Sequence, residues 1–436
     1  METVSNSSAT PAELLGALTG IVGDTHVSTD ADVLAARSVD WTGRYHGRAG
    51  VLVRPGDAGE VAAVLRACRA AHACVTVQGG RTSLVAGTVP EHDDVLLSTE
   101  RLTEIDDVDN GAQRVHAGAG VTLTAVQRAA AKAGLLFGVD LSSRDSATVG
   151  GMASTNAGGL HTVRYGTMGA QILGVDVALP DGSLARRHQT PSMFVGAEGT
   201  LGVITAVDLR LHPISAYRAT AVCGFNDLGA LVEAARGIRD IDTIDALELL
   251  DGRALKADAD WLLLVELAGD TDQTQRLADG MRGVPTEPDV AVDAAGRQRL
   301  WQLRESLAQI VTTFGPPLKF DVSLSLTAVA AFATASRALI TQHAPEAIPV
   351  LFGHVGKGNL HLNVLRCGTE DEAAIYAPMM DLIAAHGGNV TSEHGVGTRK
   401  RAYLSMARSE SDIAAMRATK EALDPDRLLN RAVLFD

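Results

Sequence analysis

Residues 142–166 read SSRDSATVGGMASTNAGGLHTVRYG, a stretch in which paired glycines alternate with small hydroxylated residues. Two further segments have the same character. VQGGRTSLVAG at 77–87 follows an apolar strand-like run, and GAEGTLGVIT at 196–205 leads into another. Glycine permits positive φ and close backbone approach, so successive N–H groups in such loops can point at a phosphate. Ser83, Ser154, Thr155 and Asn156 offer side-chain donors in addition. One such loop is an ordinary turn; three in one region, each beside a strand, exceed what folding requires. None opens a helix with GxGxxG spacing, and none is a GxxxxGK[ST] loop. The expectation is a pyrophosphate held outside the usual dinucleotide geometry.

The surroundings read as mixed α and β structure. Pro11, with Leu14, Leu15, Leu18 and Ile21 on one face, predicts a short helix within an N-terminal segment, 1–30. From about residue 50 a strand–helix–strand unit follows: GVLVRP, the amphipathic AGEVAAVLRACRAAH, and CVTVQGG. Shorter strands come next, DVLLST, RVHAGAG, ILGVDVALPDGS and GVITAVDLRLHP, with turn chemistry between them. Pro213 closes this region, giving a first domain over 31–214. RATAVCGF opens a second α+β unit over 215–399, with helices LGALVEAARGIR and GRQRLWQLRESLAQIV and the strand WLLLVELAG. The tail, 400–436, reads as helical, ends in LDPDRLLN and is expected to pack back on the first domain. Neither an internal repeat nor a low-complexity linker separates the parts.

The second unit carries its own constellation. FGHVGKGNLHLNV at 352–364 sets His354 and His361 seven positions apart. On one continuous strand an odd spacing sends them to opposite faces, and Gly356 and Gly358 disfavour an unbroken helix. Strand, tight Gly-Lys-Gly-Asn loop, strand lets both rings converge. A lone pair of this kind is ordinarily two core or surface histidines, so the partners decide. TSEHGVGTRK at 391–400 supplies Glu393 and His394 side by side. Two imidazoles and a carboxylate form a three-ligand set with open positions, suited to Zn²⁺, Mn²⁺ or Fe²⁺. On an extended stretch adjacent side chains diverge, so Glu393 can face the metal while His394 faces a substrate. Asn363 shares the strand face of His361 and could hydrogen-bond that substrate.

At 436 residues, 46% hydrophobic and 21% charged, the chain suits two or three folded domains. A net charge of −14 argues against nucleic acid, which demands a basic surface, but leaves room for a local basic pocket. Cys68, Cys74, Cys223 and Cys367 form neither a CxxC pair nor a disulfide scaffold, which fits free thiols in a reducing compartment. METVSNSSATPAELLGALTG has no basic stretch followed by an apolar one, so no signal peptide is read. No apolar run reaches the roughly 20 residues of a membrane span. A cytoplasmic protein is expected.

DWTGRYHG (40–47), VQGGRTSL, TVGGMASTNAGGLHTVRYG and EGTLGVIT resemble the FAD-binding domain of the vanillyl-alcohol-oxidase type. LWQLRES (300–306), GHVGKGNLHLN, SEHGVGTRK and LDPDRLLN resemble the substrate domain of the FAD-dependent D-2-hydroxyacid dehydrogenases. That group holds D-lactate and D-2-hydroxyglutarate dehydrogenases and the flavin subunit of glycolate oxidase. The resemblance runs from about residue 30 to the end. It implies an α+β fold with a two-subdomain FAD-binding domain, an α+β substrate (cap) domain and a C-terminal helical segment. In it, Gly79, Gly80, Arg81, Thr82, Ser83 and Leu84 would flank one side of the FAD pyrophosphate. Ser143, Thr148, Gly150, Gly151, Ser154, Thr155, Asn156 and Gly158 would flank the other. Glu198, Val203 and Asn430 would lie towards the flavin or adenosine end. Loop positions that bond flavin covalently in some relatives hold no histidine or cysteine here, so FAD is expected to be non-covalent. The resemblance further implies His354, His361 and Glu393 as metal ligands, His394 as catalytic base, and Arg304 and Lys319 as the grip on a substrate carboxylate. The implied reaction is hydride transfer from C2 of a D-2-hydroxyacid to FAD, the metal polarising the hydroxyl and His394 taking its proton. Without a nicotinamide fingerprint, electrons are expected to pass to a quinone or an electron-transfer protein. A homodimer is compatible with all of this.

Three positions depart from the family pattern. Lys357 stands where an acidic residue is usual, to attract an anionic substrate or simply to face solvent. Ala86 replaces a glycine. Ala308, one helical turn after Arg304, lacks the hydroxyl that D-2-hydroxyglutarate-type enzymes place there, which weakens the case for a dicarboxylate and leaves glycolate and D-lactate open. Two alternatives keep the fold. A non-redox synthase of the alkyl-dihydroxyacetone-phosphate type is disfavoured by the Arg304–Lys319 pair. A flavin-binding subunit of a glycolate oxidase-like complex is disfavoured by the full ligand set. A flavin-free zinc hydrolase would leave the glycine loops without a role.

Overall fold

Strands that are apolar on both faces suit a parallel sheet covered on each side. In the computed structural model, which describes residues 11–188 and 190–435, Ala49–Val53 and Val75–Gln78 flank Asp94–Ser98 in a parallel ladder, and Val27–Ser28 adds an antiparallel edge. Helix Ala58–Ala70 makes the crossover. The Asp57 carboxylate caps it by accepting the Glu60 N–H at 2.8 Å, and Val61, Val64, Leu65 and Cys68 are buried. Helix Ala12–Val22 packs on it through Leu14, Leu18 and Val22; residues 1–10 of the expected N-terminal segment lie outside the described residues. A four-stranded antiparallel sheet, in the order Arg114–Gly118, Val203–Arg210, Ile172–Ala178, Leu184–His188, shares one core with the parallel sheet.

The second domain is a seven-stranded antiparallel sheet. Its order is Asp289–Ala291, Tyr217–Phe225, Trp261–Gly269, Ile244–Asp251, Ile348–His354, Asn359–Leu365, Leu318–Ser323. The period of two divides its residues cleanly. Leu247, Leu249, Phe320, Val322, Leu360 and Leu362 face a core shared with helices Leu228–Ile238 and Leu326–His343. On the opposite face, Leu250, Leu264, Val350 and Phe352 pack with Leu300 and Leu307 of helix Ala294–Ile310. The same face carries Glu248, Lys319, Asp321, His361 and Asn363, and there it looks into a cavity.

The tail departs from the helical expectation. It is helical only to Leu423, through the 3₁₀ turn Arg401–Met406 and helix Glu410–Leu423. Beyond it, Val75 N–H donates to Leu428 O at 2.8 Å and Asn430 N–H donates to Val75 O at 2.9 Å, so Leu429 bridges in parallel to the edge strand Val75–Gln78. An open sheet edge offers exactly those unpaired groups, and Leu428 and Leu429 enter the first domain's core. Among the described residues no helix is long and apolar enough to cross a membrane.

Candidate active site

A cavity of about 720 Å³ lies between the domains, within the range of cofactor and ligand pockets. One wall comes from the glycine loops. Every residue assigned to the cofactor lines it except Asn156. Asn156 closes helix Val149–Thr155 in the left-handed conformation, and its Oδ1 accepts the Gly169 N–H at 2.8 Å; asparagine tolerates that conformation, so its role is to turn the chain.

The hydroxyl donors are also largely spent on the loops themselves. Ser154 Oγ donates to Gly150 O and Thr155 Oγ1 to Gly151 O, while Ser83 Oγ accepts the Val85 and Gly87 N–H groups. Thr148 Oγ1, in contrast, is buried in the cavity wall without a partner among the described residues. The backbone packing is tight: a Cβ on Gly80 would fall 1.9 Å from Ser146 O. A buried, unpartnered hydroxyl in a wall that admits no side chain suits a phosphate-bearing group. Among the described residues, His354, His361 and His394 are the only histidines that line the cavity, and no cysteine does. Glu198, assigned to the cofactor, places its carboxylate on the Val396 and Gly397 N–H groups, both at 2.7 Å, and so ties the first domain to the loop after His394.

The other wall is made of side chains. The hairpin Ile348–His354 and Asn359–Leu365 brings the His354 and His361 rings to 5.3 Å at near right angles. Glu393 Oε2 lies 3.5 Å from His354 Nε2, while Oε1 is buried without a partner among the described residues. One ligand atom from each of His354, His361 and Glu393 falls within 4.8 Å of the others. Gly158 makes room for that carboxylate, since a Cβ there would sit 2.1 Å from Glu393 Oε1. Lys357 is exposed on the hairpin loop and stands outside the cavity wall, so its charge faces solvent.

Residues 391–394 form a turn, where the sequence suggested an extended run. The cause is Asp321, which no motif singled out. Its Oδ2 accepts the N–H groups of both Glu393 (2.6 Å) and His394 (2.8 Å), and its Oδ1 lies 3.3 Å from His361 Nδ1. The turn stacks the His394 ring on His361, 5.3 Å apart and nearly parallel. Burial would raise the Asp321 carboxyl, but His394, His361 and Lys400 outweigh it and hold it well below the ordinary carboxylate range. Burial pushes the His394 imidazole down to about 4; His361, Lys400 and Lys319 add to this against the opposing pull of Asp321.

Glu248 is the second carboxylate the sequence reading missed. It rises from the middle of strand Ile244–Asp251, accepting from Arg304 Nε at 3.0 Å and meeting His354 Nδ1 at 2.6 Å. Burial would lower the His354 imidazole, yet Glu248 and Glu393 push it up to about 10, so this pocket is built to hold positive charge. Arg304 spends only Nε on Glu248, and its guanidinium lies 4.6 Å from the centre of the Phe352 ring. Lys319, cross-strand from Asn363, lines the same wall; burial brings its ammonium down to about 8 despite Asp321. Asn363 Nδ2 donates to His361 O at 3.2 Å. For both carboxylates the available signal was weak, an acidic residue among other polar ones in a strand, IDALELLD and LKFDVS.

A glycine-lined wall faces a wall of imidazoles, carboxylates and cations, in a chain of the vanillyl-alcohol-oxidase-type fold. The chain matches the crystal structure of p-cresol methylhydroxylase with a TM-score of 0.82 over 98% of each chain, at 15% identity, a likeness of fold. Residues 49–187 match the FAD binding domain family, and residues 214–434 match the C-terminal domain family of FAD linked oxidases. The chain belongs to the FAD-linked oxidases. It is 30% identical to the mitochondrial D-2-hydroxyglutarate dehydrogenase of Danio rerio, across 92% of this chain and 81% of that one. It is 28% identical to the D-2-hydroxyglutarate dehydrogenase of Stutzerimonas stutzeri, across 98% and 99%.

Proposed function

We propose that the protein oxidises a D-2-hydroxyacid to its 2-oxoacid. One observation carries the reading: His354, His361, Glu393 and His394 converge in the cavity that also holds Arg304 and Lys319, against the wall of the FAD-binding domain. FAD supplies the acceptor for the C2 hydride, and a divalent cation on His354, His361 and Glu393 would supply a Lewis acid for the hydroxyl. Arg304 and Lys319 receive the substrate carboxylate, the first through a planar fork and the second as a point charge. His394 takes the hydroxyl proton; its depressed basicity keeps the ring neutral, and so able to accept, at physiological pH. The cavity supports the cation, since among the described residues Glu393 Oε1 is buried without a partner and two carboxylates flank His354.

D-2-hydroxyglutarate is the first substrate to test, because the relatives above bear that name. Ala308 lines the wall without a hydroxyl, so D-lactate and glycolate belong in the same series. Electrons then leave to a quinone or an electron-transfer protein. Four cysteines without disulfides support a reducing, cytoplasmic setting. The synthase and partner-subunit alternatives leave the carboxylate grip or the ligand set without use.

The test is an anaerobic titration of the purified holoprotein, followed at the flavin absorbance. Bleaching by a D-acid but not its L-enantiomer, abolished by chelation without loss of FAD, is expected. Protein that stays yellow with every hydroxyacid overturns the reading. Full reduction after chelation overturns the metal.

A further inference from the structure

The strap formed by residues 40–47 has no part in the reaction described above, yet it reaches the cavity. Trp41 lines that cavity while leaving 47% of its surface exposed, an unusual position for tryptophan. Its ring centre lies 4.6 Å from Lys319 Nζ, a cation–π distance. Among the described residues, Nζ makes neither a hydrogen bond nor an ion pair. Asp321, two residues along the same strand, acts on it electrostatically but is committed to the Glu393 and His394 N–H groups. Among the described residues, the Trp41 ring is thus the side chain seated on this ammonium.

The strap beneath the indole is anchored through its main chain. The Trp41 backbone N–H donates to Ser83 O at 3.3 Å on the 77–87 loop, and Thr42 Oγ1 donates to Asp40 at 2.8 Å within the strap. Three residues further on, Arg44 donates to Glu372 at 2.8 Å, Pro316 O at 2.7 Å and Cys367 O at 3.0 Å, all in the second domain. The strap is tied to both domains, with Trp41 on its first-domain side over Lys319.

We propose that Trp41 is a positioning residue for the substrate carboxylate, holding the Lys319 ammonium at the cavity wall from a strap anchored on both domains. The inference rests on the hydroxyacid reading of the site. An ammonium restrained by a ring face keeps its charge available for an anion, whereas a loose lysine spends binding energy on being ordered. The effect belongs in substrate binding and leaves the chemical step alone.

The test is a double-mutant cycle on the holoenzyme, with D-2-hydroxyglutarate and D-lactate as substrates. Trp41→Leu is expected to raise KM roughly 3- to 30-fold, with kcat within about twofold and FAD content unchanged. Trp41→Phe, which keeps a ring, should recover most of the loss. In a Lys319→Met background, Trp41→Leu should add nothing, a silence that a merely structural role would not produce. An unchanged KM, an equal penalty with and without Lys319, or loss of FAD in Trp41→Leu would each overturn the inference while leaving the hydroxyacid reading of the wild-type site standing. Should the leucine variant fail to fold, Trp41→Phe completes the cycle with a smaller step. If no D-2-hydroxyacid reduces the wild-type flavin, the reading of the site falls first and this inference falls with it.

Discussion

The two walls of the cavity are built from different materials. The wall proposed for the cofactor is mainly backbone: glycines packed so closely that a Cβ on Gly80 would overlap Ser146 O, with Ser154 and Thr155 hydroxyls turned back onto their own helix. The wall proposed for the substrate is made of side chains drawn from three adjacent strands, a helix and a turn, and two buried carboxylates hold them in place. Backbone recognition depends on what is missing, so it should fail when an atom is added. Side-chain recognition depends on charge pairing, so it should fail when a partner is removed or changes charge. Each wall therefore has its own way of breaking.

The largest expected effect is on the substrate wall. His394→Ala should lower the rate of flavin reduction by about 10²- to 10⁴-fold with FAD fully retained, read by anaerobic stopped-flow. Near-normal reduction would remove His394 as the base. The matching change on the cofactor wall is Gly80→Ala, where the added methyl meets backbone on a neighbouring loop. The protein should purify depleted in FAD, with affinity weakened roughly tenfold or more, since about 1.4 kcal/mol of strain is enough for that. Retention of full FAD would mean that the loop gives way.

Glu248→Gln tests the buried carboxylates. It keeps the shape but takes the negative charge from between Arg304 and His354. A loss of about 10- to 100-fold in metal affinity or activity is expected, as for other groups that orient a metal ligand. Unchanged metal content and KM would mean that Glu248 only fills space.

A smaller effect follows from pH. Lys319 has its ammonium lowered to about 8 by burial, so its charge is present below that pH and disappears above it. For an anionic substrate, kcat/KM should therefore fall on the alkaline side, approaching tenfold per pH unit above about 8. Lys319→Arg should carry the fall beyond the accessible range. An unmoved alkaline limb in that variant assigns it to another group.

The smallest expected effect concerns the glycine loop 77–87, at a residue outside the cavity wall. Ala86 is buried with φ near 58°, a left-handed conformation that costs an alanine about 1–2 kcal/mol. Ala86→Gly relieves this, but it loses a buried methyl worth about 0.8 kcal/mol and adds freedom to the unfolded chain. The terms nearly cancel, so Tm should move by no more than about 4 °C. A larger rise would mean that the loop is strained well beyond its dihedral angle.

The difference between the walls also explains what could be read in advance. Glycine runs leave a local mark on the sequence, and so does a hairpin that sets two histidines around a tight loop. The convergence of His354 and His361 follows from that loop alone. Asp321 and Glu248 leave only a faint mark, because each acts on residues far along the chain. Glu248 lies 106 positions from His354, and Asp321 lies 73 from His394. The 391–394 turn was misread for the same reason: nothing in TSEHG requires a turn until a carboxylate from another strand gathers its two N–H groups. The tail end was misread because LDPDRLLN is drawn to an open sheet edge that local periodicity cannot see.

By itself, then, the sequence pointed to two α+β units, to glycine loops suited to a phosphate-bearing group, and to two histidines and a glutamate that line one cavity. These are short-range consequences of backbone freedom, side-chain period and donor chemistry. Only the tertiary structure decided which loop residues face the cavity, which carboxylates orient His354, Arg304 and His394, and that Trp41 lies over Lys319. Those facts depend on strands and straps from distant parts of the chain being packed together, and burial is what turns their meeting into charge, orientation and affinity.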